Sequence, residues 1–444
     1  MDTNKLLREA GINDPKTFRL AADMAKQGYS QEDILKKLSA SAVRKIPNNK
    51  SPLPYVKFGE VGLDIPYNVI EQMDQVMRLP PAIKGALMPD AHLGYAMPIG
   101  GVVGMLNTVS PSFVGYDIAC RMTVSFLDLG VADFFTGNTK SALFDDMLAV
   151  SRFGVGSKFD EPHDHELMFD PLWRELPHLR DLLPLARKQL GSSGGGNHFF
   201  DLLIGEVTAE TNWLPFDVGD MFVAIMTHSG SRGTGHKMAQ YYQKLAAKQT
   251  KASFSGIPKG YEFLRMDTDA GREYWNVMQL MGSYAQASHH IIHDSFLQRA
   301  GIVSLGRMEN HHNFAWFENG LYVHRKGATP AALGQLGIIP GSSGTASFLV
   351  EGLGNEDSLN SSSHGAGRLF SRREAKERFD EQAFLDDWTE SGRLYDNIAP
   401  DETAQSYKDI ERVIALQEGV LVRVVARMMP EMVIMGGNTP RKKE

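Results

Sequence analysis

Gly115-Tyr116-Asp117-Ile118-Ala119-Cys120 is the stretch on which the reading of this chain turns. Strand-like runs flank it: Val102-Val103-Gly104-Met105 before it and Met122-Thr123-Val124-Ser125-Phe126 after it. Cys120 is the chain's single cysteine. A lone cysteine forms no internal disulfide, which leaves packing, metal ligation or nucleophilic attack. A small apolar core residue is the plainest of these readings. Asp117 weighs against it, because a carboxylate and a thiolate held close together repel unless a cation lies between them. Asp117 and Cys120 are therefore read as one arm of a metal centre.

Working outward, further strand-like runs occur at Phe222–Met226 and Gly320–Val323. Helical segments are read at Ala239–Gln249, Glu273–Ile292 and Ser371–Asp387. Strands and helices mix without a regular βαβ rhythm, so the expected fold class is α+β: one large domain with mixed sheets flanked by helices. Residues 1–50 read as an N-terminal helical hairpin and linker. Asp14-Pro15 opens a first helix with Phe18, Leu20, Ala21 and Met24 as its apolar stripe. Ser30 and Asp33 resemble a capping box for a second helix through Ile34, Leu35 and Leu38. Residues 51–437 form the main domain and 438–444 a polar tail.

Composition narrows the function classes. The chain has 444 residues, 42% hydrophobic and 22% charged, as expected of a globular protein. No apolar run approaches a membrane span, and one cysteine without a disulfide framework points to a reducing cytoplasm. The net charge of −7 argues against a non-specific nucleic-acid coat but not against a local basic groove that grips a few phosphates.

Five glycine-rich segments carry the chemistry: Met88–Gly94, Gly191–His198, Thr227–Gly233, Pro340–Thr345 and Ser361–Arg368. Glycine lets backbone N–H groups converge on an anion, so several such loops in one chain suggest a site that handles phosphates. None matches the Walker or dinucleotide fingerprints. His198, His228 and His312 join Asp117 and Cys120 in a mixed S, N and O donor set in which one thiolate can bridge two divalent ions. Such a set leaves zinc, manganese and magnesium open. His364, in Ser361-Ser362-Ser363-His364-Gly365-Ala366-Gly367-Arg368, differs in kind. A neutral imidazole is a capable nucleophile toward phosphorus, and an arginine nearby can neutralise developing charge.

Six stretches occur in order: Gly-Tyr-Asp-Ile-Ala-Cys, Gly-Gly-Gly-Asn-His, His-Ser-Gly-Ser-Arg-Gly, His-His-Asn-Phe, Val-His-Arg-Lys-Gly-Ala-Thr and His-Gly-Ala-Gly-Arg. This series resembles the successive motifs of the RtcB family of RNA-splicing ligases over roughly residues 55–436. The resemblance implies GTP- and manganese-dependent joining of RNA 2′,3′-cyclic phosphate or 3′-phosphate ends to 5′-hydroxyl ends, in tRNA splicing or RNA repair. It implies Cys120 bridging two manganese ions, Asp117 and His198 completing one shell, and His228 and His312 the other. His364 would carry the covalent guanylate. Nucleotide contacts are implied at Asn197, Asp201, Ser342, Ser343, Gly365, Ala366, Gly367, Arg368 and Tyr407. An activating protein partner stays open.

The chain also departs from the family pattern. Met435 stands where a nucleotide-contacting lysine is usual, and Asp201 where a glutamate holds the guanine edge. Ala119 and Arg121 flank Cys120 where glycines are typical, with Arg121 expected to set a cation beside the thiolate. Ser288-His289 replaces Asn-Arg. Two other readings remain: a relative that processes RNA ends without sealing them, and an RNA-end-binding subunit without catalysis. An intact nucleophile and donor set speak against the latter.

Overall fold

The β-branched, Met- and Phe-rich runs pair into two mixed sheets in the structure, a computed structural model that describes residues 15–34 and 45–436. The larger sheet has eight strands. Seven run in the spatial order Ser304–His311, Arg121–Leu127, Met221–Ser229, Gly196–Val207, Val422–Gly436, Ser347–Gly352, Leu336–Ile339, each antiparallel to its neighbour. Leu394–Asp396 adds a parallel pairing to Val422–Gly436. The smaller sheet orders Phe314–Glu318, Leu321–Lys326, Ile99–Met105, Ala82–His92 and Val56–Lys57. Mixed sheets with segregated helices in one large domain are the expected α+β class.

Alternation along Gly196–Val207 shows how the large sheet is buried. Phe200, Leu202 and Ile204 pack in one apolar cluster with Ile292 and Phe296 of the helix Asp269–Ala300. Phe199 and Leu203 pack in another, with Val433 and Met435. Asp201 is on this second side by the same period of two. Both faces are covered, so the strands read as continuous apolar runs rather than as alternation.

Two helices outrun their expected lengths. The first spans Arg232–Ser253. The other begins at Asp269, where the Thr268 side chain accepts from the Gly271 N–H, and ends at Gly301 in the left-handed region. The expected helix Ser371–Asp387 is instead two, Arg372–Arg378 and Glu381–Glu390. Asp380 breaks it, because its carboxylate caps the second helix by accepting from the Ala383 N–H at 2.8 Å.

At the N-terminus the helix Pro15–Lys26 forms, and Ala21 packs on Ile34 with Phe18 and Met24 against them. Leu20 is 52% exposed rather than part of that stripe. Ser30 accepts from the Asp33 N–H at 3.1 Å, as the capping pattern predicts. Leu35, Leu38, part of the linker and the tail 438–444 lie outside the described residues. Among the described residues no helix is long and apolar enough to cross a membrane.

Candidate active site

Strand register gathers the donors. Arg121 pairs with Ser229 on one side and with His311 on the other, and Phe199 pairs with His228. Cys120, His312, His228 and His198 therefore arrive at one end of the large sheet from four strands. A backbone bond from the His312 N–H to the Cys120 carbonyl, 2.9 Å, ties two of them. Asp117 reaches the group across Gly230, where a Cβ would lie 2.0 Å from the Asp117 carboxylate. Only glycine fits there.

The five expected ligands form two triads that share Cys120: Asp117, Cys120 and His198, and Cys120, His228 and His312. Cys120 Sγ lies 3.1 Å from His228 Nε2 and 3.5 Å from His198 Nε2. His198 Nε2 is 2.9 Å from Asp117 Oδ2. The donors suit a metal. Burial holds His228 and His312 well below the usual imidazole range, which keeps them neutral. His228 Nδ1 donates to the Asn197 carbonyl at 3.0 Å, leaving the Nε2 lone pair toward the thiol. His312 Nδ1 is buried without a partner. Burial, reinforced by the Asp117 charge, pushes the Cys120 thiol well above its ordinary value. Burial likewise opposes ionisation of Asp117, but the hydrogen bond and charge from His198 outweigh it and hold the carboxyl low. A thiol and a carboxylate this close are the combination a cation relieves. At His198 the Gly194 N–H donates to Nδ1 at 3.1 Å, so the neutral ring carries its proton on Nε2. Ligation through Nε2 would move that proton to Nδ1 and end the Gly194 hydrogen bond.

The cation beside Cys120 is not Arg121. That guanidinium is buried in an ion pair with Glu309 at 2.8 Å. Lys326 fills the place instead, its ammonium donating to the Val114 carbonyl at 3.2 Å and lowering the thiol's value. Burial brings Lys326 itself down to about 8. Ala119 takes a left-handed φ of 55°, a conformation that costs an L-residue roughly 1–2 kcal/mol. His289, the second residue of the unusual pair, sits behind the centre, donating or accepting at Thr227 Oγ1 and reaching the Ser229 carbonyl at 3.1 Å. Thr227 also meets His293 at 2.8 Å, so a buried polar relay backs the strand that carries His228.

Next to this centre a cavity of about 350 Å³ is lined by all nine residues expected at the nucleotide: Asn197, Asp201, Ser342, Ser343, Gly365, Ala366, Gly367, Arg368 and Tyr407. His364 and His228 line it too, and the His364 and His312 rings lie 4.8 Å apart between centroids. Ser361–Ser363 pairs with Ala328–Pro330, which sets His364 at the mouth. The His364 Nδ1–H donates to Asp90 Oδ2 at 2.7 Å. Asp90 is fully buried and also accepts from the His364 backbone N–H at 3.2 Å. Gly367, at φ 78°, lets the chain pass the Asp90 carbonyl, 2.2 Å from where a Cβ would stand.

At the cavity's far end Arg368 donates to Glu402 at 3.1 Å and to the Tyr407 hydroxyl at 2.8 Å, while Tyr407 in turn donates to Glu402. Arg372 donates to Asn197 Oδ1 at 3.0 Å. Asp201 Oδ1 is buried without a partner, and desolvation pushes its carboxyl well above the carboxylate range. Met435, Val433 and Phe199 supply an apolar wall of the cavity, with the Phe199 ring 5.5 Å from that of His228.

Sequence reading missed Asp90, Lys326, Arg372 and Glu402 as parts of the site. Asp90 stands in one of the glycine-rich segments, but its partner is 274 residues away, and no local spacing signals that.

Comparison with known proteins agrees with this arrangement. The sequence model described as "tRNA-splicing ligase RtcB" matches residues 72–176 and 178–436. The RNA-splicing ligase RtcB1 of Escherichia coli ATCC 25922 is 30% identical, the alignment covering 86% of this chain and 97% of that protein. The RNA-splicing ligase RtcB of Escherichia coli K12 is 29% identical with the same coverage. The tRNA-splicing ligase RtcB of Methanococcus maripaludis is 30% identical over 83% of this chain and 92% of its own. Six ordered motifs, a match across most of the main domain and relatives aligned over nearly their whole lengths agree: the chain belongs to the RtcB family.

Proposed function

We propose that the protein is an RNA ligase that joins 2′,3′-cyclic phosphate or 3′-phosphate ends to 5′-hydroxyl ends, in tRNA splicing or RNA repair, with GTP as the nucleotide donor and His364 as the covalent carrier. One observation supports this most: the His364–Asp90 pair opening on a cavity beside two donor triads. Asp90 accepts the Nδ1 proton, so the Nε2 lone pair is available and the imidazolium formed on attack is stabilised.

His364 Nε2 bonds to the α-phosphorus as the bond to the bridging oxygen breaks and pyrophosphate leaves. A 2′,3′-cyclic end is first opened by water, which bonds to its phosphorus as the P–O2′ bond breaks and the 2′ oxygen takes up a proton. An RNA 3′-phosphate oxygen then attacks the phosphorus of the guanylate, and the N–P bond breaks. Finally the 5′-hydroxyl attacks the RNA phosphorus, losing its proton, and the guanylate leaves. Arg372, hydrogen-bonded to Asn197 Oδ1, would neutralise phosphate charge, and Asn197 and the Gly365-Ala366-Gly367 backbone would offer amide donors, while Arg368 is held with Tyr407 and Glu402. Two manganese ions at Asp117, Cys120, His198, His228 and His312 would supply charge neutralisation and orientation. Tyr407 and Asp201, which line the cavity, would face the base.

Incubation with labelled GTP and manganese, followed by ligation of tRNA halves, tests the reading. An acid-labile adduct mapping to His364 and a sealed product are expected. An adduct without sealing would favour an end-processing enzyme, and neither product would overturn the assignment.

A further inference from the structure

A second depression, of about 650 Å³, opens on the other side of the metal centre. It touches the centre at Asp117 and Lys326 and shares only Tyr95 with the nucleotide cavity. Gln240, Gln243, Lys244 and Ala247 of the helix Arg232–Ser253 form one wall, and Lys259 and Glu262 line the depression as well. That helix carries Arg232, Lys237, Lys244, Lys248 and Lys251 and no aspartate or glutamate, in a chain whose net charge is −7. Among the described residues none of its four lysines has an ion-pair partner, and Lys259 opposite is also unpaired and exposed. The floor is aromatic. Tyr95 is 93% exposed, meets Tyr116 edge-on at 6.1 Å, and Tyr116 stacks on His236 at 4.9 Å. A large aromatic ring left this open in water beside unpaired cations is the combination that holds single-stranded nucleic acid: bases stack while ammonium groups take phosphates.

We propose that this groove is the seat of the RNA strand that brings the 5′-hydroxyl. The assignment to that strand rests on the ligase reading above and on the geometry of displacement at phosphorus. Attacking and leaving oxygens stand roughly in line, so the attacker enters from the side opposite the departing nucleotide. The nucleotide cavity lies on the His364 side of the centre and the groove on the Asp117 side. The first bases of the 5′-hydroxyl strand stack on Tyr95 and Tyr116, and Lys244 and Lys259 meet its phosphates. Such interactions read no bases, so the groove takes 5′-hydroxyl ends of any sequence.

The test uses the full-length protein with Lys244→Glu/Lys259→Glu, Tyr116→Ala and Tyr116→Phe. Binding of a 3′-labelled single-stranded RNA of about ten nucleotides with a 5′-hydroxyl is followed by anisotropy at several salt concentrations. The double charge reversal is expected to weaken binding at least about tenfold and to flatten the log–log salt slope by roughly 0.7 for each phosphate that the protein no longer neutralises. Tyr116→Ala weakens it roughly 5- to 100-fold and Tyr116→Phe restores it. In ligation, KM for the 5′-hydroxyl strand rises in step, while labelled adduct formation by the charge-reversed protein matches the parent, since no RNA takes part in that step. Equal affinity and KM in parent and variants overturns the groove. A rise confined to the 3′-phosphate strand overturns the strand assignment. Absence of adduct in the parent would instead defeat the ligase reading, and the anisotropy series would still decide whether the groove binds RNA.

Discussion

The two ends of the cavity proposed for the nucleotide are built differently. At the phosphate end two rings are oriented, His364 by Asp90 at 2.7 Å and His228 by the Asn197 carbonyl at 3.0 Å, while His312 Nδ1 is buried without a partner. At the base end Asp201 Oδ1 is buried without a partner, and Met435, 3% exposed, offers a thioether where a lysine is usual in the family. A polar group left unpaired in a low dielectric destabilises its surroundings, whereas a paired one is held in position. His364 and the Arg368–Glu402–Tyr407 group are thus held by hydrogen bonds, and the side chains of Asp201 and Met435 are not. Departures from the family pattern fall on both sides: Asp201 and Met435 line the cavity, while Ala119 and Arg121 flank Cys120 and His289 backs the strand that carries His228.

The strongest way to break this comparison is His364→Ala. It is expected to abolish the labelled adduct and to lower sealing of 3′-phosphate ends on the order of 10³-fold or more, with metal content unchanged. Persistence of an adduct would place the carrier elsewhere. Asp90→Asn keeps the side chain's size but removes the negative charge facing Nδ1. Adduct formation should fall about 10²-fold or more with GTP affinity nearly constant, as measured by single-turnover labelling and calorimetry. A loss of affinity equal to the loss of rate would make Asp90 a binding residue.

Cys120→Ser tests the other part of the phosphate end. A serine hydroxyl stays protonated at neutral pH, so the variant should lose the rise in melting temperature that manganese gives the parent. Equal rises in both proteins would return Cys120 to a packing role.

At the base end, Met435→Lys is expected to tighten GTP binding about 10- to 150-fold, the equivalent of a charged hydrogen bond of roughly 1.5–3 kcal/mol, and to raise preference over ATP. Unchanged titrations would mean that selectivity is set by Glu402 and Tyr407. The smallest effect belongs to Asp201→Asn. The raised value of Asp201 means that, above the ordinary carboxylate range, the folded protein keeps a proton the unfolded chain has released. Stability therefore falls as pH rises across that window. The amide removes this dependence, shifting the melting temperature by no more than about 2 °C. Identical pH profiles for parent and variant would show that Asp201 ionises normally.

Some of the fold and site was written locally. Strand-like runs at Val102–Met105, Met122–Phe126 and Phe222–Met226 lie inside observed strands, because β-branched and apolar residues between glycine turns leave few alternatives. The central strand Val422–Gly436 is not among the strand-like runs of the sequence. Pro430 interrupts it, and the register shifts between Pro430 and Met432 to absorb a residue that cannot donate. Ser371–Asp387 has helical composition throughout, yet a capping aspartate divided it.

By itself the sequence determined the α+β class, the family and the roster of chemical groups, since residue type sets what a side chain can donate, accept or attack. The tertiary structure alone decided their relations. It put Asp90 against His364 and closed two triads on Cys120. It also turned Arg121 to Glu309, left Lys326 as the cation beside the thiol, and set Lys244 of the helix Arg232–Ser253 on a second depression that touches Asp117. These pairings join residues far apart in the chain, and only strand register and packing fix such distances.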